Sequence, residues 1–127
     1  MIYEAWVDGS WGPLGLGIGV AVYHGKDRVF VMGAREKRNG TNNVAEYLAL
    51  NYVLRWFRRN NLMDKKIIIY TDSAMVASQA TGKKAVVRGA YVTEAAKARE
   101  LIKEFPNLSV VWIPREANTA ADALSKL

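Results

Sequence analysis

Apolar and polar positions alternate with a strand period along the first third of the chain, and a helical period takes over after it. Ile2 to Val7 is a short apolar-rich run that reaches the polar pair Asp8-Gly9, which predicts a strand followed by a turn. From Gly15 to Tyr23 glycine alternates with Leu, Ile and Val, the pattern of a strand with one bare face. His24-Gly25-Lys26-Asp27 predicts a turn, and Arg28 to Ala34 is apolar again. These three runs predict an antiparallel meander.

The helical period begins near Val44. Val44, Tyr47, Leu48, Tyr52, Leu54 and Phe57 recur near helical spacing, and Asn43 with Glu46 three residues later reads as a helix start. Asn60-Asn61 would end this helix. Ile67-Ile68-Ile69-Tyr70 is a continuous apolar run that suits a strand buried on both faces, as in a parallel sheet. Asp72 or Ser73 caps a helix from Ala74 to Ala80 that Gly82 stops. Thr93 opens a helix from Glu94 to Phe105, closed by Pro106. Leu108 to Ile113 is a last strand, and Asn118 or Thr119 caps a short helix running to Leu127. The predicted fold class is α/β: a mixed five-stranded sheet, three antiparallel strands and then parallel ones, flanked by helices in a single domain of residues 1–127. No internal repeat, linker or low-complexity segment interrupts it.

Composition narrows what such a domain can do. Half of its residues are hydrophobic, so a core can form without covalent staples, and the absence of cysteine excludes disulfides and thiolate metal sites. No apolar run approaches membrane-spanning length, and Met1 to Asp8 reach a polar turn too soon for a signal peptide, so a cytoplasmic protein with no membrane partner is expected. The formal charge of +6 favours anionic partners, of which nucleic acid is the commonest.

Of the twelve acidic residues, most have plain placements. Glu94, Glu100 and Glu104 sit among Lys97, Arg99 and Lys103 as a solvated charged helix face. Asp8, Glu46, Asp72 and Asp122 differ, because each adjoins the start or end of a hydrophobic element. Asp8 and Asp72 end two predicted strands; side by side, these would project both carboxylates at one sheet edge, where α/β sheets bind ligands. Glu46 and Asp122 lie in the first turns of two predicted helices. Taken singly, each has a simpler reading: Glu46 as the far end of a capping box with Asn43, Asp122 likewise with Thr119, Asp72 as a helix cap, Asp8-Gly9 as a turn. Convergence of the four would instead raise some of their pKa values, and hard divalent cations such as Mg²⁺, which take oxygen ligands, would relieve the repulsion. Two such ions about 4 Å apart can stabilise both oxygens of a phosphoryl displacement.

Four segments occur in order: Val7-Asp8-Gly9-Ser10, Thr41-Asn42-Asn43-Val44-Ala45-Glu46, Tyr70-Thr71-Asp72-Ser73 and Asn118-Thr119-Ala120-Ala121-Asp122. Together they resemble the signature segments of type 1 ribonuclease H, over nearly the whole chain. The resemblance implies the ribonuclease H-like fold, with Asp8, Glu46, Asp72 and Asp122 holding two Mg²⁺ or Mn²⁺ ions. It implies cleavage of the RNA strand of RNA–DNA hybrids, leaving 5′-phosphate and 3′-hydroxyl ends. It also places Ser10, Asn42 and Asn43 at a groove where RNA 2′-hydroxyls are read, and Thr41 at a phosphate of the DNA strand.

The chain departs from that family pattern in two places. The loop before the last helix, Pro114 to Ala117, lacks the family's histidine, and Arg115 is the candidate for its role. Arginine stays protonated, so it would act on phosphate charge or product release and not as a base. The only histidine, His24, falls in a predicted hairpin turn. In place of a basic protrusion there is a short loop with Lys83, Lys84 and Arg88, candidate phosphate contacts. Arg55, Arg58, Arg59, Lys65 and Lys66 form a second basic patch, for some of which a solvated helix end is the simpler reading. Trp6, Trp56 and Trp112 are expected in the core and Trp11 exposed near the substrate. The expected protein is a free-standing, monomeric enzyme. The alternatives are a nuclease of the same fold with broader specificity, for double-stranded RNA or DNA, and a non-catalytic nucleic-acid-binding module.

Overall fold

The computed structural model describes residues 1–37, 40–80, 82 and 89–126. In chain order the elements are β1 (Tyr3–Gly12), β2 (Gly15–His24), β3 (Asp27–Glu36), α1 (Asn42–Arg59), β4 (Ile67–Thr71), α2 (Ala74–Ala80), α3 (Val92–Ile102), β5 (Leu108–Trp112), a single 3₁₀ turn (Arg115–Ala117) and α4 (Thr119–Ser125). The sheet runs β3-β2-β1-β4-β5, with β1, β2 and β3 antiparallel and β4 and β5 parallel to β1. This is the mixed sheet that the hydrophobic pattern predicts.

The strand alternation sorts side chains onto two faces. Ala5 and Val7 of β1, Val20 and Val22 of β2, Ile67 and Ile69 of β4 and Val110 of β5 turn toward α1, α2 and α3. There they join Tyr47, Leu50, Val53, Leu54 and Phe57 of α1 in one buried cluster. Each large apolar side chain so buried contributes about 1.5–3 kcal/mol. A half-exposed ion pair such as Arg58–Glu104, at 3.2 Å, contributes at most about 1 kcal/mol. The core therefore orients α1 on the sheet, and surface charge does not.

Among the described elements, α4 is the one that packs on the opposite face. Its approach depends on the bare face of β2: a Cβ at Gly17 would overlap the carbonyl oxygen of Ser125, and one at Gly19 that of Ala121. Gly9 does the same on the core side, where a Cβ would overlap the backbone of Ala45 and Glu46. The glycine alternation of β2 thus forms the seat of α4, and Gly9 of β1 the seat of α1.

Several elements differ from their predicted form. The polar pair Asp8-Gly9 is no turn; β1 continues to Gly12 because β2 pairs with it along its whole length, and the turn falls at Gly12–Gly15. Thr41, not Asn43, caps α1, its hydroxyl accepting from the Val44 amide at 3.3 Å. α3 starts before Thr93 and ends at Ile102. Glu94 is buried, not solvated: α3 packs against α1, and Asn51 of α1 donates to the Glu94 carboxylate at 3.4 Å and to its carbonyl at 2.9 Å. Arg99, from the same predicted face, donates to the Gln79 carbonyl. Trp112 is 52% exposed because β5 is an edge strand. Trp6 is half-buried on the α4 face, where it stacks on Tyr70 at 4.8 Å. Trp11 is exposed, as expected.

The packing predicts that Gly19→Ala destabilises the protein by about 1–3 kcal/mol, the usual cost of overpacking. Gly12→Ala, at a position with open space around it, should leave stability within about 0.5 kcal/mol of the parent. Urea denaturation of the two variants checks both values; equal stability would mean that α4 does not depend on the bare strand face.

Candidate active site

β1 and β4 pair in parallel as far as Val7↔Thr71. Asp8 and Asp72 are the next residues on each strand, so they emerge at the same level of the same edge. Asp8 stays inside the sheet through its pairing with Gly19 of β2, and is buried. Asp72 leaves the sheet where α2 begins. Ser73, and not Asp72, caps α2, its hydroxyl accepting from the Val76 amide at 3.2 Å. The Asp72 carboxylate is thereby left free for the site, while its carbonyl accepts from Trp112 Nε1 at 3.2 Å.

Glu46 lies in the second turn of α1, because the helix begins at Asn42. It completes no capping box. Its Oε1 accepts from the Gly9 amide at 3.1 Å, a contact that the missing Gly9 side chain allows. Its Oε2 is buried and receives no hydrogen bond from an N–H or O–H donor among the described residues. Carboxylate oxygens of Asp8, Glu46 and Asp72 lie within 4.8 Å of one another. Asp122, in the first turn of α4, flanks this trio beside Asp8; Lys126 Nζ is 3.3 Å from its Oδ2 and Arg115 3.9 Å from its Oδ1. The four predicted carboxylates therefore do converge, three in one cluster and the fourth at its flank.

The electrostatics follow from that crowding. Burial, then the hydrogen bond and negative charge of Asp8 and the charge of Asp72, push the Glu46 carboxyl up to about 9. Burial also pushes Asp8 up to about 6; the Glu46 hydrogen bond works against this, and Asp72 and Asp122 add to it. Asp122 goes the other way. Burial raises it, but the Asp8 hydrogen bond and the cations Lys126 and Arg115 outweigh burial and hold it below the usual range.

A cleft of about 260 Å³ opens on the cluster, lined by Gly9, Ser10, Asn42, Asn43, Glu46, Asp72, Ser73 and Arg115. Ser10, Asn42, Asn43 and Arg115 thus line the same cleft as Glu46 and Asp72. Ser10 Oγ donates to the Ser125 carbonyl at 3.0 Å, and Asn42 Oδ1 accepts from the Trp11 amide at 3.0 Å, tying the end of β1 to the start of α1. Thr41 sits at the α1 cap. Lys83, Lys84 and Arg88 lie outside the described residues. His24 stacks on Tyr3 at 4.1 Å, at the far end of β1 from Asp8, and takes no part. A larger groove of about 700 Å³, lined by Arg55, Arg58, Lys97, Glu104 and other residues, has no converging carboxylate cluster among the described residues, so size does not select the site.

Two further residues touch the cluster: Ser125, and Asn118, which the sequence offered only as a cap and as the head of the segment carrying Asp122. Ser125 Oγ donates to the Asp122 carbonyl at 2.8 Å and lies 3.4 Å from Asp8 Oδ2; nothing in the sequence marks it. Asn118 occupies the α4 cap position but makes no capping bond with its side chain, which turns inward instead.

The donor set is all oxygen, two of its buried oxygens (Glu46 Oε2 and Asp122 Oδ1) receive no hydrogen bond from an N–H or O–H donor among the described residues, and its members repel one another. A hard divalent cation fits these residues and would replace the protons that otherwise neutralise them.

A family model described as reverse transcriptase-like matches residues 7–127. The structure is similar to that of ribonuclease H1 from Halobacterium salinarum, with a TM-score of 0.87 and 29% identity over 99% of this chain and 96% of that one. It is equally similar to LC11 ribonuclease H1 in complex with an RNA/DNA hybrid: TM-score 0.87, 29% identity, 98% of this chain and 94% of that one. In sequence the chain is 30% identical, over 92% of its length, to the bifunctional protein Rv2228c of Mycobacterium tuberculosis. It spans 31% of that relative.

The raised carboxyls carry a sign for stability. Glu46 and Asp8 have folded-state values above their ordinary 4.5 and 3.8, so protonation favours the fold. Their contribution is complete below the ordinary values and is lost as pH climbs toward about 9. In chelator the melting temperature should fall across that window, Mg²⁺ should restore it at the alkaline end, and Glu46→Gln should flatten the profile. Calorimetric melting against pH measures this, and a wild-type profile no steeper than that of Glu46→Gln would contradict it.

Proposed function

The chain belongs to the reverse transcriptase-like family and has the type 1 ribonuclease H fold, and from that premise we propose that it is an endonuclease hydrolysing the RNA strand of RNA–DNA hybrids. The observation that carries this reading is the convergence of Asp8, Glu46 and Asp72 within 4.8 Å at the base of a cleft lined by polar side chains. A module that only bound nucleic acid would gain nothing from negative charge facing phosphates. The structural similarity to LC11 ribonuclease H1, whose structure holds an RNA/DNA hybrid, supports the choice of substrate.

Asp8, Glu46, Asp72 and Asp122 would hold two Mg²⁺ or Mn²⁺ ions. When bound, such ions supply an ionised water and offset charge at the scissile phosphate, giving 5′-phosphate and 3′-hydroxyl products. The chain's own groups bind and orient the substrate. Asn42 and Asn43 offer amide donors and acceptors at the cleft, suited to a 2′-hydroxyl that is both donor and acceptor. Thr41 accepts from Val44 through its oxygen, which leaves its hydroxyl hydrogen for a phosphate of the DNA strand. Arg115 remains a cation. It lies against Asp122 at the rim of the cleft with its side chain 73% exposed, placed to exchange that carboxylate for a substrate or product phosphate. Lys83, Lys84 and Arg88 add charge for the duplex backbone, which makes affinity fall steeply with salt.

End-labelled RNA–DNA hybrid, double-stranded RNA and double-stranded DNA, each incubated with Mg²⁺, Mn²⁺ or chelator, test the reading. Metal-dependent cuts in the RNA strand of the hybrid are expected. Asp72→Asn should lower them on the order of a thousandfold or more, since losing a metal ligand removes several kcal/mol of transition-state stabilisation. Cutting of double-stranded RNA as well would widen the substrate class. Binding of the hybrid without cleavage under any metal would overturn the reading in favour of a binding module.

A further inference from the structure

We propose that Asn118 is a positioning residue for the carboxylate cluster: its side-chain amide sets Asp72 against β1 and so governs how tightly the cluster takes a divalent cation. The inference rests on the reading of that cluster as a metal site.

Asn118 is 1% exposed. Its Nδ2 lies 2.9 Å from the carbonyl of Val7, the residue before Asp8, and 3.3 Å from Asp72 Oδ2. The amide nitrogen carries two hydrogens, one for each partner. Both partners are acceptors, so the orientation of the amide follows from them: the opposite orientation would set oxygen against oxygen. The main chain of Asn118 extends the connection. Its carbonyl accepts from the Asp122 amide at 3.0 Å, and its own amide donates to the Arg115 carbonyl at 3.0 Å. One residue therefore touches the strand that delivers Asp8, the carboxylate of Asp72 and the turns that carry Asp122 and Arg115.

Capping does not account for this side chain, because it makes no capping bond. Packing does not account for it either. Its Oδ1 is buried without a hydrogen-bond partner among the described residues, a cost that an apolar side chain of similar shape would avoid. Asp72 needs such a tie more than Asp8 or Glu46. It lies beyond the last paired residue of β4, with its carbonyl held by Trp112 and its carboxylate by Asn118. Freed from Asn118, the carboxylate could swing away from like charge and leave the cluster one ligand short. Outer contacts of this kind set metal affinity by orienting the ligands.

The test is titration of wild-type protein, Asn118→Ala and Asn118→Leu with Mn²⁺, followed by the electron paramagnetic resonance signal of the free ion. Melting in chelator and KM for hybrid at saturating Mn²⁺ are measured alongside. Asn118→Leu keeps the branched outline of the side chain while removing the donor, and serves as the second variant should Asn118→Ala be unstable. Both variants should raise the Mn²⁺ midpoint about ten- to a hundredfold. KM at saturating metal should stay near the wild-type value, because Asn118 does not line the cleft. A wild-type midpoint in folded variants, with only the melting temperature lowered, overturns the inference and leaves the metal site standing. Failure of the wild-type protein itself to bind Mn²⁺ overturns the metal-site reading and the inference with it.

Discussion

Like charges a few ångströms apart and out of water repel strongly, and the arrangement of this protein turns on holding four of them at one sheet edge. Three glycines make the arrangement possible. Gly9 lets the start of α1 close on β1, so that Glu46 reaches the Gly9 amide. Gly17 and Gly19 let α4 settle on β2, which brings Asp122 beside Asp8. Side chains at these positions would hold both helices off the sheet and spread the carboxylates apart. The apolar core on the other face supplies the stability that the repulsion opposes.

The same crowding separates the four groups chemically. Glu46, buried beside Asp8 and Asp72, is driven to hold its proton; Asp122, beside Lys126 and Arg115, is driven to lose it. A basic chain thus keeps a small acidic hollow within a surface suited to a polyanion, and cations entering that hollow would take the place of protons there. Arg115 belongs to both regions, since it pairs with Asp122 and also lines the cleft.

Much of this was legible in the sequence because the cluster sits at element boundaries, and boundaries follow hydrophobic period. The run Ile67–Tyr70 located Asp72, and the apolar run from Ile2 located Asp8, even though β1 extends past it. The helical period from Val44 placed Glu46, although Thr41 supplies the cap and Glu46 falls two residues deeper than a capping box would have it. The glycine alternation of β2 showed a bare face, but not that a helix lies on it. Asn118 and Ser125 were beyond such reasoning. An asparagine before a helix reads as a cap, and only the tertiary approach of α4 to β1 turns its amide toward Val7 and Asp72. Glu94 and Arg99 were misread for the same reason: a charged helix face looks solvated until α1 is packed against Glu94 and α2 against Arg99.

The central claim is that the cluster carries protons which divalent cations displace. Isothermal titration calorimetry with Mg²⁺, run near neutral pH in two buffers of different ionisation enthalpy, measures this directly. Wild-type protein should release about one proton on binding, as Glu46 ionises, and Glu46→Gln should release markedly less. Binding heats that do not depend on the buffer, or no binding at all, would contradict the account.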